Sequence, residues 1–119
     1  MFDKICILGC GLIGSSLLRA IHKKKLANKL SAFDKSKDVS LYLAKNFSFH
    51  IAKSIEEAVK DSDLVIISSP LSSYKEILLL IKSSLKKNVI LTDTGSAKKE
   101  INKIINNLNL EDVNWIASH

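Results

Sequence analysis

The chain is poor in the residues that build stapled, metal-bound or irregular folds. Of its 119 residues two are cysteine, one is proline, one is tryptophan and four are glycine, and aromatics reach only 6%. Cys6 and Cys10 are not a CxxC pair and have no second pair to join them, so a zinc ribbon is excluded and two reduced thiols of a cytosolic protein remain. No cluster of His, Cys and acidic residues has the spacing of metal ligands. Linkers, repeats and low-complexity segments are missing too, and the length leaves room for one domain with a real core but not for two. The longest apolar stretches, such as residues 77–81, fall far short of the roughly 20 residues that cross a bilayer. The apolar run after Met1 is a few residues long and broken by glycine, which is no signal-peptide pattern. The expectation is a cytoplasmic protein with no membrane partner.

Acidic residues are outnumbered, 12 against 18 lysines and arginines, for a net charge of +6. Such a balance can attract nucleic acid or anionic substrates. Here the lysines are spread over Lys23-Lys24-Lys25, Lys86-Lys87 and Lys98-Lys99, at helix ends or in loops and without interleaved aromatics. Solvated helix termini explain them, and nucleic acid is not expected as a partner.

What is present is concentrated near the N-terminus. The run Cys6-Ile7-Leu8-Gly9-Cys10-Gly11-Leu12-Ile13-Gly14-Ser15-Ser16-Leu17 holds three of the four glycines in a GxGxxG pattern. Residues 4–8 read as a strand, and Leu12, Ile13, Leu17, Leu18 and Ile21 recur at helical spacing behind the glycines. In a strand, glycine turn and helix of this kind, backbone amides at the helix N-terminus hold a pyrophosphate. Gly9 permits the tight turn, Gly11 lets the main chain approach the phosphates, and Gly14 lets the helix pack closely. A second strand at residues 30–33 ends in Asp34, 20 residues past Gly14, where a carboxylate can accept the adenosine ribose hydroxyls and repel a 2′-phosphate. That favours NAD over NADP. Lys35 stands beside it and could accommodate a phosphate. A plain β-to-α turn, with Asp34 as a helix cap, is the bland alternative.

The remaining pattern alternates. A short helix over 39–45 precedes a third strand over 47–52, and Ser54-Ile55-Glu56-Glu57 reads as a capping box opening a helix to about Asp61. Leu64-Val65-Ile66-Ile67 is a continuous apolar run, as in a central parallel strand buried on both faces, and it stops at Ser68-Ser69-Pro70. Ser73 with Glu76 reads as another capping box. A fifth strand at 89–92, a helix at 98–108 and a sixth strand at 113–117 complete the set. Six strands alternating with helices predict an α/β fold, a doubly wound parallel sheet in the order 3-2-1-4-5-6. Right-handed crossovers then bring every loop that follows a strand to one sheet edge: the glycine loop, Asp34, Ser68 to Pro70, Asp93 to Ser96, and His119.

Histidine suits a general base for a substrate hydroxyl whose carbon loses hydride, because its ordinary pKa of about 6.5 lies near working pH. His119 follows the sixth strand and Ser96 the fifth, so both can approach the nicotinamide end. Solvation of His119 and a helix-capping Ser96 are the competing readings. His22 and His50 read as structural or solvated, and Trp115 as a core or domain-contact residue.

Together, Gly9 to Leu17, Ser68-Ser69-Pro70, Thr92-Asp93-Thr94-Gly95-Ser96-Ala97-Lys98 and Ile116-Ala117-Ser118-His119 resemble the prephenate and arogenate dehydrogenases of tyrosine biosynthesis. The TDxGSxK segment and the histidine are the more specific marks. The resemblance implies oxidative decarboxylation of a cyclohexadienyl substrate, with hydride passing from the hydroxyl-bearing ring carbon to NAD and loss of carbon dioxide making the ring aromatic. It implies that His119 takes up the hydroxyl proton and that Ser96 hydrogen-bonds at the same hydroxyl. The family has glycine before its histidine where this chain has Ser118. The family pattern also continues into a helical domain that binds substrate carboxylates and forms the dimer. The 119 residues match only the part before it, so the chain alone is expected to bind cofactor, to turn over slowly or not at all, and to self-associate through apolar surface left in water. Alternatives are another Rossmann reductase, such as a β-hydroxyacid dehydrogenase, or a non-catalytic cofactor-binding module.

Overall fold

A computed structural model describes residues 2–46, 50–95, 98–108, 110 and 112–116. The strands are β1 (Phe2–Leu8), β2 (Ala27–Phe33), β3 (His50–Ile51), β4 (Leu64–Ile67), β5 (Val89–Asp93) and β6 (Val113–Trp115). Between them run helices α1 (Leu12–Lys24), α2 (Lys37–Asn46), α3 (Ile55–Val59), α4 (Tyr74–Ile81) and α5 (Lys98–Leu108). All six strands are parallel, in the order β3-β2-β1-β4-β5-β6, as the alternation of patterns predicts.

The apolar strands are buried on both faces because alternate side chains feed two separate cores. From β1, Cys6 and Leu8 join Val65 and Ile67 of β4 on one face, under Val59, Leu78, Ile81, Ile101 and Ile105 of α3 to α5. Ile5, Ile7 and Ile66 point the other way and meet Leu18 and Ile21 of α1 and Leu43 of α2. This period of two is what lets an uninterrupted run such as Leu64–Ile67 serve both layers. Cys6 belongs to the first core and Cys10 to the second, and both are free thiols. Burial pushes each thiol up to about 12, which keeps them protonated and unreactive at neutral pH.

Two capping boxes behave differently. Ser54 is extended at the start of α3 and its Oγ accepts from the Glu57 amide at 3.1 Å, whereas the Glu57 carboxylate meets His50 Nε2 at 2.8 Å. The helix stops at Val59, two residues short of Asp61, which lies at φ +61°. Ser73 caps nothing with its side chain. A 3-10 turn over Leu71–Ser73 precedes α4, and it holds Ser73 at φ −96°, ψ −8° with its amide donating to Pro70 O. From that helical backbone a serine oxygen does not reach the first-turn amides as it does from an extended N-cap. The expected third strand over 47–52 is seen at His50–Ile51, with Ala52 N continuing the ladder to Ala32 O at 2.9 Å; residues 47–49 lie outside the described residues. Among the described residues, no helix is long and apolar enough to cross a membrane.

Candidate dinucleotide-binding cleft

The ladder of β1, β2, β4 and β5 runs past the strand ends and carries the loops with it. Gly9 N donates to Phe33 O at 2.9 Å, Ser68 N to Leu8 O at 2.7 Å, and Thr94 N to Ile67 O at 3.1 Å. The residues after β1, β4 and β5 are therefore held side by side, and Thr94 Oγ1 donates to Ser68 Oγ at 3.1 Å across the last two. They border a cleft of about 900 Å³ at the carboxyl edge of the sheet, within the range of small-molecule and cofactor sites.

The three glycines of the loop do three different jobs. Gly9 sits at φ +88°, and a Cβ there would lie 2.4 Å from Ser69 Oγ and 2.9 Å from the Ser68 carbonyl carbon. A Cβ on Gly14 would lie 2.1 Å from Gly9 O, so only glycine lets the first turn of α1 approach the loop this closely. Gly11 is the opposite case: a Cβ there would meet nothing within 4 Å. The space in front of it is open and belongs to the cleft. Gly11 is also the N-cap of α1, so it offers no side chain to the first-turn amides, and no acidic residue stands in that turn. Amides without such partners, at the positive end of a 13-residue helix and facing open space, make a place for an anion.

Asp34 closes one side of the cleft. Half-buried at the end of β2, it accepts from Cys10 N through Oδ2 at 2.7 Å and from Ser36 N through Oδ1 at 2.8 Å. Asp34 and the exposed Lys35 both line the cleft. The far side is walled by Ser68, Ser69, Pro70, Thr94 and Gly95, with Tyr74, Ile77 and Leu80 of the α4 face. Beneath that wall Asp93 is buried, with Oδ2 accepting from Gly95 N at 2.8 Å and from the Tyr74 hydroxyl at 3.3 Å. Burial first, and then the Asp93 carboxylate, push the Tyr74 phenol well above its ordinary value, so it stays a donor at all working pH. The walls are mostly apolar, and the exposed Leu12 and Ile13 stand at the mouth.

A family of known proteins matches residues 17–119: prephenate dehydrogenase, nucleotide-binding domain. The chain belongs to the prephenate dehydrogenase family. The matched span starts at Leu17, so the glycine loop lies outside it. A cyclohexadienyl dehydrogenase of Zymomonas mobilis is 34% identical over 120 residues, covering 100% of this chain and 41% of the relative. A prephenate dehydrogenase of Lactococcus lactis is 31% identical over 106 residues, covering 88% of this chain and 30% of the relative. The chain thus spans well under half the length of either. The fold is shared with the crystal structure of prephenate dehydrogenase from A. aeolicus in complex with hydroxyphenyl propionate and NAD+, at a TM-score of 0.80 and 22% identity over 95% of this chain and 40% of that one.

Of the residues singled out from sequence, Gly9, Gly11, Leu12, Ile13, Asp34, Lys35, Ser68, Ser69 and Pro70 all border the one cleft. Gly14 lies behind them, buried against Gly9. Ser96 and His119 lie outside the described residues. The sequence reading missed Tyr74, whose hydroxyl joins α4 to β5. No short motif marks a contact between residues 19 positions apart on different elements. Trp115 is half-buried against the α5 side, where its Nε1 donates to Asn102 Oδ1 at 2.9 Å.

Proposed function

We propose that the chain is the NAD-binding domain of a dehydrogenase that oxidatively decarboxylates prephenate or arogenate. The observation that carries the reading is the uncapped α1 N-terminus at Gly11, facing open cleft with Asp34 at its flank. The residues present fit a dinucleotide: Gly9 and Gly14 leave room that no Cβ could share, and Gly11 adds open space where phosphates would lie. On this reading the amides of Leu12 and Ile13 hold the pyrophosphate, and Asp34 accepts the adenosine ribose hydroxyls. The negative charge of Asp34 disfavours a 2′-phosphate, with Lys35 too exposed to cancel it. Ser68, Ser69, Pro70 and Thr94 wall the nicotinamide end and exclude water from it.

A bound nicotinamide supplies the hydride acceptor. His119 takes the proton of the substrate hydroxyl, and Ser96 hydrogen-bonds at that hydroxyl and orients it. The role of these two rests on family resemblance in the TDxGSxK segment and the final Ala-Ser-His. Binding of the substrate carboxylates is assigned to the helical domain with which the family pattern continues.

Calorimetric titration of the 119-residue chain tests the cofactor assignment. NAD is expected to bind at least tenfold more tightly than NADP. Equal or tighter binding of NADP overturns the NAD preference, and binding of neither overturns the reading. Turnover of prephenate and of arogenate is then assayed with the C-terminal part of a related dehydrogenase supplied. There His119→Asn is expected to lower kcat by about 10²–10⁴-fold, the usual range for a general base; an unchanged kcat removes His119 from the mechanism.

A further inference from the structure

Asp34 is placed to do more than meet a ribose. Its Oδ2 accepts from the amide of Cys10, the residue between Gly9 and Gly11, at 2.7 Å, while Oδ1 accepts from Ser36 N at 2.8 Å. The Ser36 bond, with Ser40 Oγ donating to Asp34 O at 3.2 Å, fixes the carboxylate to the start of α2. The Cys10 bond then passes that fixity to the loop. Cys10 is gripped at each of its polar groups: its carbonyl accepts from Ser15 Oγ at 2.7 Å and its buried thiol lies 3.8 Å from Phe33 O. Of the three residues that make these grips, Asp34 and Phe33 also border the cleft, and Asp34 is the one that brings a charged side chain to it. Each carboxylate oxygen has two acceptor positions, so one remains on each for a ribose hydroxyl.

We propose that Asp34 is a positioning residue for the phosphate site, latching the glycine loop through the Cys10 amide so that ribose binding and phosphate binding are coupled through one carboxylate. This rests on the dinucleotide reading above. Gly9 is packed against Ser68, Ser69 and the first turn of α1, but Gly11, with open space around it, gives the link between Cys10 and α1 little steric restraint of its own. Without the latch the amides that face the phosphates are free to turn away.

Two ligands separate the roles. Adenosine carries the ribose alone, and ADP adds the phosphates, so the ratio of their dissociation constants reports the phosphate contribution. If Asp34 serves only the ribose, Asp34→Ala weakens both ligands equally, or raises the ratio because a negative charge near the phosphates has gone. The latch gives the opposite sign: the advantage of ADP over adenosine falls at least fivefold in Asp34→Ala. In the ligand-free chain, amide hydrogen exchange at Cys10 is expected to speed up at least tenfold, with Val65 and Ile66 in the central strand unchanged. Should Asp34→Ala fail to fold, Asp34→Leu, which is close in shape and carries no acceptor, takes its place with the same exchange measurement. An unchanged or increased ADP advantage, or unchanged exchange at Cys10, overturns the coupling alone. Failure of the unaltered chain to bind ADP overturns the dinucleotide reading and the coupling with it.

Discussion

Asp34 directly follows β2 and Asp93 ends β5 of the same sheet, and each accepts the amide hydrogen of the residue two positions on, Ser36 or Gly95, at 2.8 Å. Local geometry does not tell them apart. Their surroundings do: Asp34 is half-open to the cleft and spends its second oxygen on the glycine loop, whereas Asp93 is 3% exposed and sealed by the Tyr74 hydroxyl. The same turn chemistry is thus used once where a ligand can compete for it and once where nothing can. A strand-terminal aspartate announces a turn at the ligand edge, and burial decides whether it binds or braces.

The sharpest way to break this contrast is to delete each carboxylate. Asp93→Ala leaves Gly95 N without its acceptor and the buried Tyr74 hydroxyl with Ile67 O alone, at 3.4 Å, and should lower the unfolding free energy by about 2 kcal/mol in a denaturant titration. Adenosine affinity should stay within about threefold of the unaltered chain, since Asp93, unlike Asp34, is buried and does not line the cleft. In Asp34→Ala the order reverses, with at most about 1 kcal/mol lost from stability, because water can reach the amides it leaves. A large stability loss at Asp34 and a small one at Asp93 would sink the distinction. Tyr74→Phe is milder, removing one hydroxyl while keeping the ring, and should cost about 1 kcal/mol with adenosine binding unchanged.

The surface provides the baseline for both. Glu57 is exposed, and the hydrogen bond from His50 holds its carboxyl below the ordinary value. A depressed folded value means that the stabilisation is present above the unfolded pKa of about 4.3 and is lost as pH falls through the folded one. Glu57→Gln should remove that acid-side dependence and barely move stability at pH 7, as for other exposed pairs. A change at pH 7 as large as that of Asp93→Ala would show that exposure does not rank these carboxylates.

The strand order and the ligand edge were legible because they follow from alternation and handedness, which need only element types in sequence. The glycine loop was legible because Gly9 and Gly14 answer steric demands that no other residue meets. Asp34 was found by its distance from the glycines, but its bond to Cys10 N was not, since a backbone amide leaves no mark on the choice of residue. The Ser73 capping box was misread because Ser-x-x-Glu fits equally a serine in the last position of a 3-10 turn. Asp93 was placed at the sheet edge, but its pairing with Tyr74 escaped because it depends on how α4 lies over β5, a matter of packing rather than of spacing.

The two cores share strands but no side chains, and the cleft opens over only one of them, where Ile55, Tyr74, Ile77 and Ile101 reach its floor. The sheet therefore acts as a partition for sequence drift. Substitutions under α1 and α2 and substitutions under α3 to α5 should combine additively, because no shared neighbour carries strain from one face to the other. Repacking beneath α1 reaches the cleft through the Gly9–Gly14 contact, through Cys10, which lies in that core and whose amide meets Asp34, and through Leu12 and Ile13 at the start of α1. One side of the protein meets the cleft at a few points of contact, and the other forms its floor.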